Sequence, residues 1–173
     1  MRIPVATLND GYDLPLLGLG TYKLQGGDVE PVVRAAIELG YRHIDTAAFY
    51  GNEVEVGTAV NAAIAAGDVT REELFITTKL WNDDQHRAAQ AYQESLSRLN
   101  LEFIDLYLIH WPWPQRGSYV HAFEQIVQLQ DRGQLRSVGV ANFYEEVLDE
   151  VIAATGVTPV LNQVEVHVGF TQP

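Results

Sequence analysis

The chain has 173 residues, 47% of them hydrophobic, which is enough apolar surface for one buried core and a single domain over residues 1–173. Its formal net charge of -12 repels nucleic acid and anionic membranes, and the absence of cysteine excludes disulfides, thiolate metal sites and cysteine nucleophiles. Met1-Arg2-Ile3-Pro4-Val5 does not read as a signal peptide, and no apolar run is long enough to cross a bilayer, so a cytoplasmic protein is expected.

The opening predicts a β-hairpin, because two short apolar runs flank Asn9-Asp10-Gly11 and Asp-Gly suits a tight type I′ turn. Apolar runs then alternate with helical patterns. Strands are expected near residues 14–19, 42–46, 74–79, 103–110, 136–140 and 160–165. Between them, helical spacing is carried first by Val29, Val32, Val33, Ala36 and Ile37, and then by Val56, Val60, Ala63 and Ile64 within residues 53–66. It continues with Ala89, Tyr92, Leu96 and Leu99, with Phe123, Ile126, Val127 and Gln130, and with Val147, Leu148, Val151 and Ile152. Gly40, Gly67 and Gly133 stand where helices stop.

Strict βα alternation predicts a parallel sheet with right-handed crossovers. Two architectures compete, an open doubly wound sheet and a barrel of the (β/α)8 TIM type. The first needs a third glycine in its phosphate-binding turn, and Gly18-Leu19-Gly20-Thr21-Tyr22-Lys23 places Lys23 there. A hairpin ahead of the first strand also suits a barrel, whose N-terminal mouth it can plug. The α/β barrel is therefore expected, with about six of its eight βα units present.

Parallel strands bring their C-terminal ends to one rim. Asp45, Lys79 and His110 each stand at or just past such an end, and Tyr50 lies in the loop after Asp45. A phenol ordinarily ionises near 10, roughly, so Tyr50 needs help to exchange protons near neutrality. Lys79 can stabilise phenolate, Asp45 can hold Lys79 charged, and His110 can donate to the reacting oxygen. The bland alternative is an Asp45–Lys79 salt bridge beside a core tyrosine and a strand-end histidine. Each residue alone reads more readily as structural; four on successive units at one rim favour chemistry.

Trp81, Trp111 and Trp113 follow the later rim residues, as pocket walls or as loop packing. Asn142, Asn162 and Gln163 can bind an amide group or satisfy loop backbone, and Asn142 taken alone reads as a helix N-cap. The five histidines show no metal-ligand spacing beyond the weak pair Glu165 and His167, so no metal is expected. Asp45 with Glu53 is a conceivable glycosidase pair, though both do not lie on strand ends.

A resemblance covers nearly the whole chain. It is carried by Gly18-Leu19-Gly20-Thr21-Tyr22-Lys23, by Gly40-Tyr41-Arg42-His43-Ile44-Asp45-Thr46-Ala47 with Tyr50-Gly51-Asn52-Glu53, and by Ile76-Thr77-Thr78-Lys79-Leu80-Trp81. Ile104-Asp105-Leu106-Tyr107-Leu108-Ile109-His110-Trp111-Pro112 and Asn162-Gln163-Val164-Glu165 complete it. The pattern resembles the aldo-keto reductase superfamily, in its bacterial 2,5-diketo-gluconate reductase type. The resemblance implies reduction of aldehydes or ketones with NADPH, NADH not being excluded. It implies Tyr50 as general acid, supported by Lys79 and Asp45, with His110 orienting the carbonyl. Asn142 and Gln163 would hold the cofactor amide, Thr21 and Asp45 would lie near its ribose, and Tyr22, Trp81 and Trp111 would line the substrate pocket.

Two departures carry expectations of their own. The family pattern has serine before the asparagine matched by Asn142, whereas this chain has Ala141 and lacks one hydroxyl contact. The pattern also continues beyond the sixth strand, where the two remaining strands, an aromatic stacking residue and the segment gripping the 2′-phosphate belong. A truncated barrel with weak NADPH binding is expected, and self-association through open sheet edges in place of the family's monomer. The competing reading is a non-catalytic, barrel-like binding or regulatory subunit.

Overall fold

The structure is a computed structural model that describes residues 3–172. An antiparallel hairpin of β1 (Val5–Thr7) and β2 (Asp13–Pro15) opens the chain. Its loop departs from the expected type I′ turn. Gly11 alone in the loop has a positive φ, +90°; its N–H donates to Leu8 O at 3.0 Å, and the Leu8 N–H donates to Tyr12 O at 2.8 Å. Glycine thus takes the left-handed position by itself, and Asp10 is spared a conformation that its Cβ disfavours. The run expected at 14–19 divides in two: Leu16 and Leu17 are exposed where the chain leaves the hairpin and enters the main sheet at β3 (Gly18–Gly20).

The main sheet is parallel and follows chain order: β3, β4 (His43–Asp45), β5 (Phe75–Leu80), β6 (Leu106–Ile109), β7 (Ser137–Ala141) and β8 (Asn162–Gln163). The crossovers carry α1 (Val29–Glu38), α2 (Glu53–Ala66), α3 (Ala88–Leu99), α4 (Tyr119–Asp131) and α5 (Glu145–Thr155). Val32, expected on the buried face of α1, is instead 37% exposed, while Val29, Val33, Ala36 and Ile37 are buried. Adjacent helices pack closely. A Cβ on Gly57 of α2 would sit 2.2 Å from the Leu99 carbonyl oxygen at the end of α3, so only glycine admits that approach.

Period-two alternation sorts the strand residues between two apolar layers. Ile44, Ile76, Leu80, Tyr107, Ile109 and Val140 face the helices. Phe75, Leu106, Leu108 and Ala141 face the concave side, where Leu8 and Leu14 of the hairpin pack on them and plug the N-terminal mouth. Asn9 also donates from the hairpin loop to Thr158 O, at 3.2 Å, ahead of β8.

The sheet is curled. Gln163 Nε2 on β8 donates to Asp45 Oδ2 on β4 at 2.9 Å, although three strands lie between them. In a flat sheet those strands would be roughly 19 Å apart. The result is a half-barrel whose outer strands β3 and β8 do not pair with each other among the described residues. No helix among the described residues is long and apolar enough to cross a membrane.

Candidate active site

The same alternation aims every second side chain of the central strands into the concavity. His43 and Asp45 on β4, Thr77 and Lys79 on β5, and His110 just past β6 share that side. Tyr50 closes a short 3-10 turn, Ala48–Tyr50, that follows β4. Thr21 follows β3, Asn142 follows β7 and Gln163 ends β8, so the residues expected at the rim all stand at one end of the sheet.

Lys79 is 1% exposed and pairs with Asp45 Oδ1, while its Nζ also donates to Thr46 O at 2.9 Å. The third direction of the ammonium faces Tyr50 Oη at 3.5 Å. The Tyr50 ring lies 5.7 Å from the His110 ring, nearly edge-on, and 5.1 Å from the Tyr22 ring. A phenol, an ammonium and an imidazole therefore converge on the Asp45 carboxylate, which is 13% exposed.

Burial dominates the proton affinities. It lowers Lys79 below the usual amine range, with Asp45 opposing. Burial and then the Lys79 charge push His110 down to about 4, so the ring is neutral at physiological pH. Its Nδ1 is buried without a partner among the described residues, which leaves Nε2 to address a ligand in the cleft. Tyr50 is pushed up to about 12 by burial, then by Asp45 and Tyr22. The expected lowering of the Tyr50 pKa by Lys79 is not what the structure gives. Asp45 balances the ammonium, so desolvation of phenolate wins and Tyr50 stands fully protonated, an acid in reserve.

A cleft of about 1040 Å³ opens over this group, lined by Tyr22, Asp45, Tyr50, Trp81, His110 and Trp111 among others. Lys79 sits behind Asp45 and Tyr50. Thr21 is fully buried, and its hydroxyl donates to Asp45 O at 3.0 Å. Asn142 is not the predicted N-cap, because α5 starts after Tyr144. It holds a left-handed φ of 59° and donates through Nδ2 to His110 O at 2.9 Å. Gln163 commits its Nε2 to Asp45. Neither amide oxygen accepts a hydrogen bond among the described residues, so the pair is fitted to receive an amide N–H₂ from a ligand in the cleft.

Other candidates resolve into structure. Asn162 brackets Phe143, donating to its carbonyl at 2.7 Å and accepting from its N–H at 3.2 Å. Glu53 accepts from Thr78 Oγ1 and Arg98 Nε, both at 2.6 Å, and faces away from Asp45, so no glycosidase pair forms. Glu165 and His167 are exposed and bonded to each other, and no group of three metal-capable side chains occurs among the described residues. Trp113 lies outside the main cleft, its ring under Arg116 at 4.2 Å. Two contributors escaped the sequence reading. Phe49 stacks on Trp81 with centroids 3.9 Å apart, and Asn52 is buried beside Thr46. The aromatic neighbour of Tyr50 was a readable signal for Phe49; nothing local marked Asn52 beyond its place in the Tyr50-Gly51-Asn52-Glu53 motif.

Known proteins share this sequence and fold. Residues 16–171 match the Aldo/keto reductase family. The methylglyoxal reductase DkgA of Yersinia pestis is 49% identical over 164 residues, 95% of this chain and 58% of that protein. An aldo-keto reductase of Mycobacterium avium is 50% identical over 172 residues, 98% of this chain and 59% of that protein. Among solved structures, an aldo/keto reductase from Brucella melitensis superposes with a TM-score of 0.92 at 41% identity, covering 99% of this chain and 66% of that one. A Bombyx mori aldo-keto reductase in complex with NADP gives 0.87 at 42% identity, covering 96% and 59%. The chain thus spans less than two thirds of the curated relatives it matches. With six parallel βα strands, a hairpin plug and this rim, the chain belongs to the aldo/keto reductase family.

Proposed function

We propose that this chain carries the proton-delivery site of a reductase that converts aldehydes or ketones to alcohols with NADPH. The observation that carries the reading is the placement of Tyr50 Oη within 3.5 Å of a buried, carboxylate-paired Lys79, facing the neutral ring of His110 across the cleft. NADPH, when bound, supplies the hydride. A carbonyl oxygen lodged between Tyr50 and His110 accepts a hydrogen bond from each. As hydride reaches the carbonyl carbon and the C=O π pair moves to oxygen, that oxygen takes the Tyr50 proton. The phenolate left behind is stabilised by the Lys79 ammonium and regains its proton from water. Lys79 thereby acts on the transition state, where charge appears, and not on the resting phenol.

When the cofactor is bound, Asn142 and Gln163 would offer their oxygens to its nicotinamide amide, and Asp45 and the Thr21 turn would hold its ribose. Ala141 contributes no hydroxyl there. Tyr22, Trp81 and Trp111 wall the substrate side. NADPH is favoured over NADH by the relatives solved with NADP and NADPH.

The test compares wild type with Tyr50→Phe for loss of NADPH absorbance in the presence of methylglyoxal. A decrease of about 10²–10⁴-fold is expected for a lost general acid. Equal rates in the two proteins would remove Tyr50 from the mechanism. Fluorescence titration with NADPH runs beside it, so that a loss of rate in Tyr50→Phe can be separated from a loss of cofactor binding.

A further inference from the structure

Asn52 lies two residues past Tyr50, is 1% exposed, and has no polar contact with the cleft. Such an amide must find its partners inside the protein. It finds three. Its Oδ1 accepts from Thr46 Oγ1 at 2.7 Å, and its Nδ2 donates to Thr21 O at 2.9 Å and to Leu24 O at 3.0 Å. Every one of these segments belongs to the rim. Thr46 follows Asp45, and its carbonyl is the second acceptor for Lys79 Nζ. Thr21 donates both its N–H and its hydroxyl to Asp45 O, at 2.9 and 3.0 Å.

The contacts close on themselves. From Asn52 the path runs to Thr21, from Thr21 to Asp45, from Asp45 to Lys79, from Lys79 to the Thr46 carbonyl, and from the Thr46 hydroxyl back to Asn52. Tyr50 touches this ring at Lys79 and is tied to it covalently through Gly51. Few other bonds hold the Tyr50 turn. Gln25 Nε2 donates to Tyr50 O at 2.9 Å, and the Tyr50 N–H stays within the turn, bonded to Ala47 O.

We propose that Asn52 is a positioning residue for proton transfer: it locks the Tyr50 turn onto the Asp45–Lys79 pair, and so sets the reach between the phenol and the ammonium. It touches neither substrate nor cofactor. This inference rests on the reading of Tyr50 as the acid, yet its consequence is visible without turnover. Held by Asn52, the Tyr50 phenol stays desolvated near Asp45, the condition that pushes its pKa up to about 12. Released, it swings into water and titrates as an ordinary tyrosine.

The experiment follows the Tyr50 ring carbon bonded to oxygen by NMR in protein carrying 13C-labelled tyrosine. The resonance is assigned by its loss in Tyr50→Phe, and the fold is monitored by circular dichroism. At pH 11 a phenol with a pKa of about 12 is roughly one-tenth ionised, and one at about 10 roughly nine-tenths. Asn52→Ala is expected to raise the ionised fraction of Tyr50 above one half while the other tyrosines keep theirs. Thr46→Val removes only the hydroxyl donor and is expected to give a smaller rise in the same direction; it serves as the deciding variant if Asn52→Ala does not fold. In steady state both are expected to lower kcat at least tenfold with KM for the aldehyde within about threefold of wild type. An unchanged Tyr50 ionised fraction in folded Asn52→Ala, or in Thr46→Val where the alanine variant fails, overturns the proposal. Failure of the reductase reading looks different: wild type itself then shows no Tyr50-dependent turnover, whatever the titration gives.

Discussion

The two ends of the half-barrel each set a carboxylate against cations, Asp105 at one and Asp45 at the other, but in opposite surroundings. At the N-terminal end Asp105, 1% exposed, accepts from Arg71 and Arg136 at 2.7 Å and from the Ile76 N–H at 2.8 Å. Both guanidiniums stack on the Phe103 ring, each 3.8 Å from its centroid. Every partner there is a permanent charge or a backbone group, and the planar forks fit the carboxylate with no proton to exchange. At the C-terminal end Asp45 meets Lys79, whose amine is pushed down by burial, beside a phenol pushed up and an imidazole pushed down. A buried ion pair therefore says little about function by its presence. The distinguishing signs are titratable neighbours whose affinities are driven apart and an open cleft above them.

The sharpest way to break this contrast is to remove each pair. Asp105→Ala leaves two guanidiniums and a strand N–H without their acceptor, and is expected to cost on the order of 3–5 kcal/mol, lowering Tm by roughly 6–20 °C. The double variant Asp45→Asn with Lys79→Met replaces both charges with groups of similar shape, and is expected to stay within about 1 kcal/mol of wild type while carbonyl reduction collapses. Thermal unfolding of both proteins decides it. If the double variant loses as much stability as Asp105→Ala, the rim pair is an anchor like its counterpart.

The pH dependence sharpens the same contrast. His110 is lowered from its ordinary value of 6.5 to about 4, so the unfolded chain binds its proton first. Stability from this group is present above the ordinary value and is lost as pH falls toward the folded one. His43 is also lowered by burial and adds to the loss. Unfolding in urea at a series of pH values should show a decline over that window, partly flattened in His110→Gln. Tyr50, raised to about 12, keeps its acid form throughout. Loss of the Tyr50 acid form should therefore not limit reduction below about pH 10. A fall at lower pH reports loss of the charge on Lys79, whose amine burial pushes down; a fall that persists unchanged in Lys79→Met would assign the titrating group elsewhere.

The smallest expected effect concerns the wall of the cleft. Phe49→Ala removes the platform under Trp81 and, at about 0.5–1.5 kcal/mol for such a stacked pair, should raise KM for an aromatic aldehyde by roughly two- to tenfold with little change in kcat. An equal loss in kcat would mean that Phe49 supports Tyr50 instead.

How much of this could be read from residues alone follows from the range of the interactions. Strand and helix positions were legible because apolar periodicity is local, and helix α2 came out at the boundaries expected. The rim residues were legible because a parallel sheet brings every strand's C-terminal end to the same side. What stayed hidden depends on where a side chain finds its partner. Asn162 looks like a ligand for an amide but is consumed by Phe143, and Asn142 looks like a cap but reaches His110 instead. The direction of the Tyr50 shift was hidden for another reason. It is a contest between desolvation and charge, and the winner is decided by burial depth, which no motif records. The hairpin turn shows the same limit at short range, since Asp-Gly is compatible with more than one loop.

The bond from Gln163 to Asp45 joins residues 118 apart in sequence. Contacts of that separation carry a large loop-closure cost, which slows folding. The carboxylate that holds Lys79 acquires its amide partner only when β8 arrives. Without β8 in place, Asp45 lacks that donor and the rim is unfinished. Completion of the site is thus tied to completion of the curl, because the same bond serves both.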